Sequence, residues 1–240
     1  MIPKIIHYCW FGGAEKPSKI QKCMNTWSEH LSDYELVEWN EENFDLNTNS
    51  YVREAYNSKK YAFVSDFVRV HALYHYGGIY LDTDVEVMKS FDDLLNHKSF
   101  WGFEQENYVA TSTIGAEKNN KLIGCFLNYY TKRNFINQDG GRDELTNVAI
   151  LNGILEQNGL KANGEYQEIK GIGVIYPQHY FSPFDYINLR NLKNEESYTL
   201  HHFYKSWLPL SVRIRSFIKV VLSKAIGGEN IYRLRELFSK

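Results

Sequence analysis

Three cysteines in 240 residues, Cys9, Cys23 and Cys125, are too few and too scattered for a disulfide framework or a zinc-thiolate site. They fit reduced thiols in a cytosolic protein. No apolar run approaches the roughly 20 residues that span a bilayer, and the opening MIPKIIHYCW lacks the length and small-residue cleavage site of a signal peptide. A cytoplasmic location is the expectation. Internal repeats and low-complexity linkers are missing too, as is any overall basic excess, the formal charge being −2. That total hides an asymmetry, because residues 211–240 carry seven Lys or Arg against two Glu, or +5, which leaves 1–210 with 20 basic and 27 acidic side chains, or −7. An acidic body has no electrostatic footprint for nucleic acid, which is excluded as a partner.

What is present is ample core material, 43% hydrophobic and 15% aromatic, enough for one catalytic-size domain over 1–210 followed by a tail over 211–240. The run from Lys4 to Phe11, closed by Gly12 and Gly13, reads as a buried first strand. A helix is expected around Ser18 to His30, a second strand over Tyr34 to Trp39, and a helix from Lys60 to Tyr76, where Phe63, Phe67, Val70 and Tyr74 recur at helical spacing. Gly77 and Gly78 supply its stop. This is the rhythm of an α/β sheet. Past Phe100 the pattern weakens, with Gly140 and Gly141 a turn signal.

Directly after the glycine stop comes Gly77-Gly78-Ile79-Tyr80-Leu81-Asp82-Thr83-Asp84-Val85-Glu86-Val87. Read as one strand, it places Tyr80, Asp82, Asp84 and Glu86 on one face and the apolar residues on the other. Asp82 and Asp84 then repel each other, and a divalent cation at the strand's end resolves the conflict. An EF-hand does not fit, since its sixth position needs Gly and here is Val87. Without context, an isolated D-x-D is a solvated acidic face, and Asp66 with Arg69 at i, i+3 is a surface salt bridge.

Context changes both readings. The stretch YAFVSDFVRVHALYHYGGIYLDTDVEV combines S-D-x-x-R, a helix, G-G-I-Y-L-D and D-x-D, and resembles the DXD-motif sugar transferases of glycosyltransferase family 32. The start I-P-K-I-I-H-Y-C-W-F is similar to that family's first strand, and His201-His202-Phe203-Tyr204-Lys205-Ser206-Trp207 to its H-H-x-x-x-S-W segment. The three matches occur in the family's order and span residues 2 to about 207. The family holds yeast Golgi mannosyltransferases, bacterial capsule and lipopolysaccharide transferases, and relatives of clostridial glucosylating toxins.

The resemblance implies an α/β fold of the glycosyltransferase A type, with a mainly parallel central sheet, plus the C-terminal helical tail. It implies a metal-dependent glycosyltransferase that moves a hexose from a nucleoside diphosphate sugar, UDP-hexose first, to a glycan or lipid-linked glycan of capsule, exopolysaccharide or lipopolysaccharide. Retention of anomeric configuration comes from the resemblance; the residues leave retaining and inverting open. Mn²⁺ or Mg²⁺ bridging carboxylate and diphosphate would stabilise the leaving group. Asp84 is then the direct ligand, and Asp82 reaches the metal through water or holds ribose and sugar. Either His201 or His202 offers an imidazole. Asp66 and Arg69, with Ser65 on the same helical turn, grip sugar hydroxyls and phosphate. Tyr80 shares the carboxylate face, Trp10 stacks on the base, Ser206 and Trp207 donate to the diphosphate, and Asn147 contacts sugar. Glu86, Glu104 and Asp143 receive no role. Rival readings are a nucleotide-sugar phosphohydrolase using the same D-x-D, and a non-catalytic sugar-nucleotide-binding assembly protein.

In the tail, Ile214, Phe217, Ile218, Val221, Leu222 and Ala225 form one helical stripe, with basic residues off it. Such a helix packs on protein, or lies peripherally on the anionic inner face of the membrane, near lipid-borne acceptors.

Overall fold

The computed structural model describes residues 1–105, 108–186 and 188–204; Ser206, Trp207 and the 211–240 tail lie outside the described residues. The first half runs β1 (Ile5–Cys9), α1 (Ser18–His30), β2 (Glu35–Trp39), α2 (Ser50–Asn57), α3 (Tyr61–Tyr76), β3 (Gly78–Leu81) and β4 (Val85–Val87). The second half adds β5 (Ser99–Gln105), β6 (Tyr108–Val109), β7 (Thr113–Ala116), α4 (Lys121–Thr131), α5 (Asn147–Gln157), β8 (Gln167–Ile169), β9 (Gly173–Tyr176), α6 (Gln178–Phe181), β10 (Phe184–Asp185), β11 (Arg190–Asn191) and β12 (Thr199–His201). Gly140 sits in a turn at φ 81°, beneath a bridge between Ile136 and Arg142.

The central sheet has the order β2-β1-β3-β7-β5-β9-β8, with β6 attached to β5. Following the pairings, β2, β1, β3, β5 and β9 share one direction, while β7 and β8 oppose it. The sheet is therefore mainly parallel in sense, and the carboxyl ends of β1, β3 and β5 emerge at one edge. Successive residues of β3 feed opposite cores: Tyr80 packs with α2–α5 residues such as Phe67, Phe126 and Leu151, whereas Ile79 and Leu81 pack with Trp27 of α1 and with Phe91 and Phe181. Helices thus cover both faces, which explains why β3 is buried at every residue and shows no polar outer face.

Helix α3 crosses the sheet so closely that Val64, Phe67, Val68, Val70, Ala72 and Leu73 are all buried, and Asp66 and Arg69 with them. Gly77 ends it at φ 70°, where a side chain would run into the Lys118 amide at 2.7 Å, so only glycine makes the turn into β3. The Gly77 carbonyl is held by buried His7, whose Nε2 lies 2.8 Å away. Because the Trp39 indole donates to His7 Nδ1 at 3.2 Å, Nε2 carries the proton and donates to that carbonyl.

One expectation fails in detail. Residues 77–87 are not a single strand: β3 stops at Leu81, Asp82 to Asp84 form a turn closed by Val85 N–H donating to the Asp82 carbonyl at 3.0 Å, and β4 leaves the central sheet to pair with β12. The apolar alternation continued across the break because Val85 and Val87 are buried in the α1-side core, where the Trp27 indole donates to the Val85 carbonyl at 2.8 Å. Asp and Thr are residues that turns favour, and here that local preference outweighs the strand pattern. Asp82 and Asp84 consequently converge through a turn and not through the pleat.

Candidate active site

The site is assembled where α3, β3 and β5 meet at the carboxyl edge. From α3, one turn carries Ser65, Asp66 and Arg69 inward. The Arg69 guanidinium lies 3.0 Å from Asp66 Oδ1 and 3.2 Å from Asp82 Oδ1 through Nη2, and donates through Nη1 to the Thr111 carbonyl at 2.8 Å. The Tyr80 ring lies under it at 4.5 Å. The Arg69 and Asp66 side chains are only 6% and 12% exposed, so this is not the surface salt bridge that spacing alone describes. Ser65 instead turns its hydroxyl back to the Tyr61 carbonyl at 3.1 Å, the usual habit of serine inside a helix.

Asp66 and Asp82 are further constrained. Asn147, at the start of α5, donates to Asp66 Oδ1 at 2.6 Å, and the Tyr80 hydroxyl donates to Asp82 Oδ1 at 3.0 Å. Burial pushes the Asp66 carboxyl up to about 7 against the pull of Arg69. Burial also raises Asp82, opposed by Arg69 and His201 and reinforced by the nearby charge of Asp84. Arg69, ringed by these acids, stays charged. A buried guanidinium paired this way is held in one orientation.

The second half of the site wraps Asp84. Burial would raise this carboxyl, but His201 and the Tyr204 amide, which donates to Oδ2 at 3.0 Å, hold it below the ordinary carboxylate range. The His202 amide donates to the Asp84 carbonyl at 3.1 Å. His201 Nε2 lies 3.4 Å from Asp84 Oδ1, and its Nδ1 lies 3.3 Å from Glu104 Oε1. Burial disfavours the charged imidazole, yet the two carboxylates together raise it to about 10. The two adjacent histidines face different partners. One ligand atom each from Asp82, Asp84 and His201 falls within 4.8 Å of the others, while His202 turns away to Glu86, with Nε2 2.9 Å from Oε2. Two carboxylates and an imidazole that gives up its Nε2 proton would form the donor set of a borderline divalent cation, and a protein contributing three ligands leaves positions for diphosphate oxygens.

Trp10 follows β1 as Asp82 follows β3, so parallel pairing brings both to the same edge. It is only half-buried, its indole N–H donates to the Ala14 carbonyl at 2.6 Å, and Lys16 Nζ lies 5.5 Å from its ring; a core tryptophan would be enclosed. Asp143, by contrast, is occupied by Arg133, whose Nε donates to it at 2.7 Å. Glu104 was legible only as one more acid, although it is the penultimate residue of the aromatic strand SFWGFEQ, at the edge to which Asp82 belongs. That placement was the available signal.

Comparison with known proteins bears on this arrangement. Residues 17–101 match the family described as "Glycosyltransferase sugar-binding region containing DXD motif". The chain is 31% identical over 126 residues to inositol phosphoceramide mannosyltransferase 3 of Schizosaccharomyces pombe, covering 51% of this chain and 35% of that protein. It is 28% identical over 221 residues to the uncharacterized glycosyltransferase L373 of Acanthamoeba polyphaga mimivirus, covering 87% of this chain and 85% of the viral one. The chain therefore spans about a third of the fission-yeast relative's length and most of the viral relative's. The solved PaToxG glycosyltransferase aligns with a TM-score of 0.51 at 20% identity, covering 65% of this chain and 69% of that one, a likeness of fold.

Proposed function

We propose that the chain is one of the glycosyltransferases whose sugar-binding region carries the DXD motif, and that it moves a hexose from a nucleoside diphosphate sugar, UDP-hexose in the first instance, to a glycan acceptor. The observation that carries the reading is the convergence of Asp82, Asp84 and His201 within 4.8 Å beside the Asp66–Arg69 pair. Asp84 and His201 would hold Mn²⁺ or Mg²⁺ directly, with Asp82 completing the set. When bound, the cation would neutralise charge on the departing diphosphate. Arg69, fixed between Asp66 and Asp82, orients phosphate and sugar oxygens. Asn147 and Tyr80 keep the two acids from drifting. Trp10 stacks on the base, and Ser206 and Trp207 donate to the diphosphate.

Capsule, exopolysaccharide or lipopolysaccharide glycans, lipid-linked or free, are the acceptor class, with retention of anomeric configuration, as the resemblance in motif implies. Among the described residues no helix is long and apolar enough to cross a membrane. The basic stretch 211–240 extends the proposal to peripheral contact with anionic lipid, which cosedimentation with and without that segment tests. A mannosyltransferase among the relatives makes a nucleoside diphosphate mannose, with GDP-mannose as the probe, a rival donor.

The test is incubation of the protein with Mn²⁺ and a panel of UDP-hexoses and GDP-mannose, with released nucleoside diphosphate and sugar both assayed. Release of UDP or GDP with intact hexose is the expected result. Nucleoside monophosphate with sugar phosphate would instead mark a phosphohydrolase, and nucleotide binding without any turnover a non-catalytic protein.

A further inference from the structure

Glu104 lies outside every motif named above, yet its carboxylate reaches into the site from the end of β5. Oε1 sits 3.3 Å from His201 Nδ1, while the opposite nitrogen of the same ring faces Asp84 Oδ1 at 3.4 Å. The imidazole is therefore strung between two carboxylates on different elements. Its face is covered by Phe203 at 3.8 Å, which is backed in turn by Tyr186 at 4.5 Å. The His201 and Glu104 side chains are 13% and 15% exposed, so water does not freely substitute for either partner. Phe203 itself adopts φ 51°, a left-handed conformation uncommon for an aromatic residue, and this bend carries the chain from His201 to the Tyr204 amide on Asp84.

A neutral imidazole that offers Nε2 to a cation keeps its single proton on Nδ1, and a buried N–H needs an acceptor. Glu104 is that acceptor. We propose that Glu104 is a positioning residue, which selects the Nδ1–H form of His201 and aims Nε2 at the cation site completed by Asp82 and Asp84. A carboxylate in this place also makes the ligating nitrogen more basic. Without it the ring is free to flip or to shift its single proton from Nδ1 to Nε2, either of which removes a ligand. The inference rests on the metal reading of the site and adds to it a residue that never touches the metal or the substrate.

The experiment is Mn²⁺ titration of the full chain in the presence of UDP, followed by the electron paramagnetic resonance signal of free Mn²⁺. Glu104→Leu is expected to lower Mn²⁺ affinity roughly 10- to 100-fold, the scale on which such outer partners act. Glu104→Gln, whose amide oxygen still accepts from Nδ1–H, should stay within about threefold of the parent by the same reasoning. In a His201→Ala background Glu104→Leu should cost nothing further, which a residue that merely holds β5 against β12 would not satisfy. For a variant that does not fold, the unaltered protein gives the answer: ¹⁵N spectra of its histidines with Mg²⁺ and UDP should show His201 protonated at Nδ1. A proton on Nε2, an unchanged affinity in Glu104→Leu, or an equal loss in both backgrounds overturns the inference while leaving the metal site standing. A parent protein that holds no Mn²⁺ in the presence of UDP overturns the metal reading and this inference with it.

Discussion

The two halves of the site are built differently. The Asp66–Arg69–Asp82 half is set in the joint between α3 and β3, where every neighbouring residue from Phe67 to Val70 is buried and each acid has at least two partners. The Asp84–His201 half depends on a segment folded back over a turn, secured by two backbone amides, one ring contact and Glu104. One half is part of the core and cannot be altered without disturbing the fold. The other is attached to the core and can lose its ligand function while the fold persists. The Asp66–Arg69–Asp82 half thus sits on packed elements, while the Asp84–His201 half rests on a returning segment that contacts Asp84, Glu86 and Glu104.

Mutations should break this comparison unequally. The largest effect is expected from Arg69→Met, which leaves Asp66 and Asp82 buried with no cation between them; removing one partner of such a network costs about 3–5 kcal/mol. Urea unfolding should show that loss, and a shift below about 1 kcal/mol would mean that the half thought to be core is solvated. Next comes Trp10→Ala, which removes base stacking of about 1–3 kcal/mol. UDP binding by calorimetry should weaken about tenfold to a hundredfold, with the thermal midpoint little changed because Trp10 is half-exposed. Unfolding of that variant would assign the indole to packing instead. Asn147→Ala should be smaller, a stability loss of about 1–2 kcal/mol from one hydrogen bond to Asp66, with Mn²⁺ affinity unaffected. A change in Mn²⁺ affinity there would show that the halves are coupled.

The contrast also explains what could be read from residues alone. Helices α1 and α3 were legible because their apolar spacing matches the faces they bury, and Gly77 because only glycine accepts φ 70° against the Lys118 amide. The polar pair on α3 was visible as Asp66 and Arg69, but its burial was not, since i, i+3 spacing is the same on a surface helix. The turn at Asp82–Asp84 was hidden because Val85 and Val87 prolong an alternation that belongs to two strands in different sheets. Strands β5, β7 and β9 carry buried residues on both faces, so period two is absent just where the second half of the sheet begins. His201 and His202 are adjacent in sequence at the end of β12 and face different partners, one Asp84 and the other Glu86. No local pattern states which.

The account's central claim is that Asp82, Asp84 and His201 together make one divalent cation site. Its most direct measurement is stoichiometric Mn²⁺ binding in the presence of UDP, compared among the parent, Asp84→Asn, His201→Ala and His202→Ala. The account predicts one Mn²⁺ per chain in the parent, its loss in Asp84→Asn, a marked weakening in His201→Ala and no change in His202→Ala, all four remaining folded. Mn²⁺ retained by Asp84→Asn, or a loss in His202→Ala equal to that in His201→Ala, would contradict it.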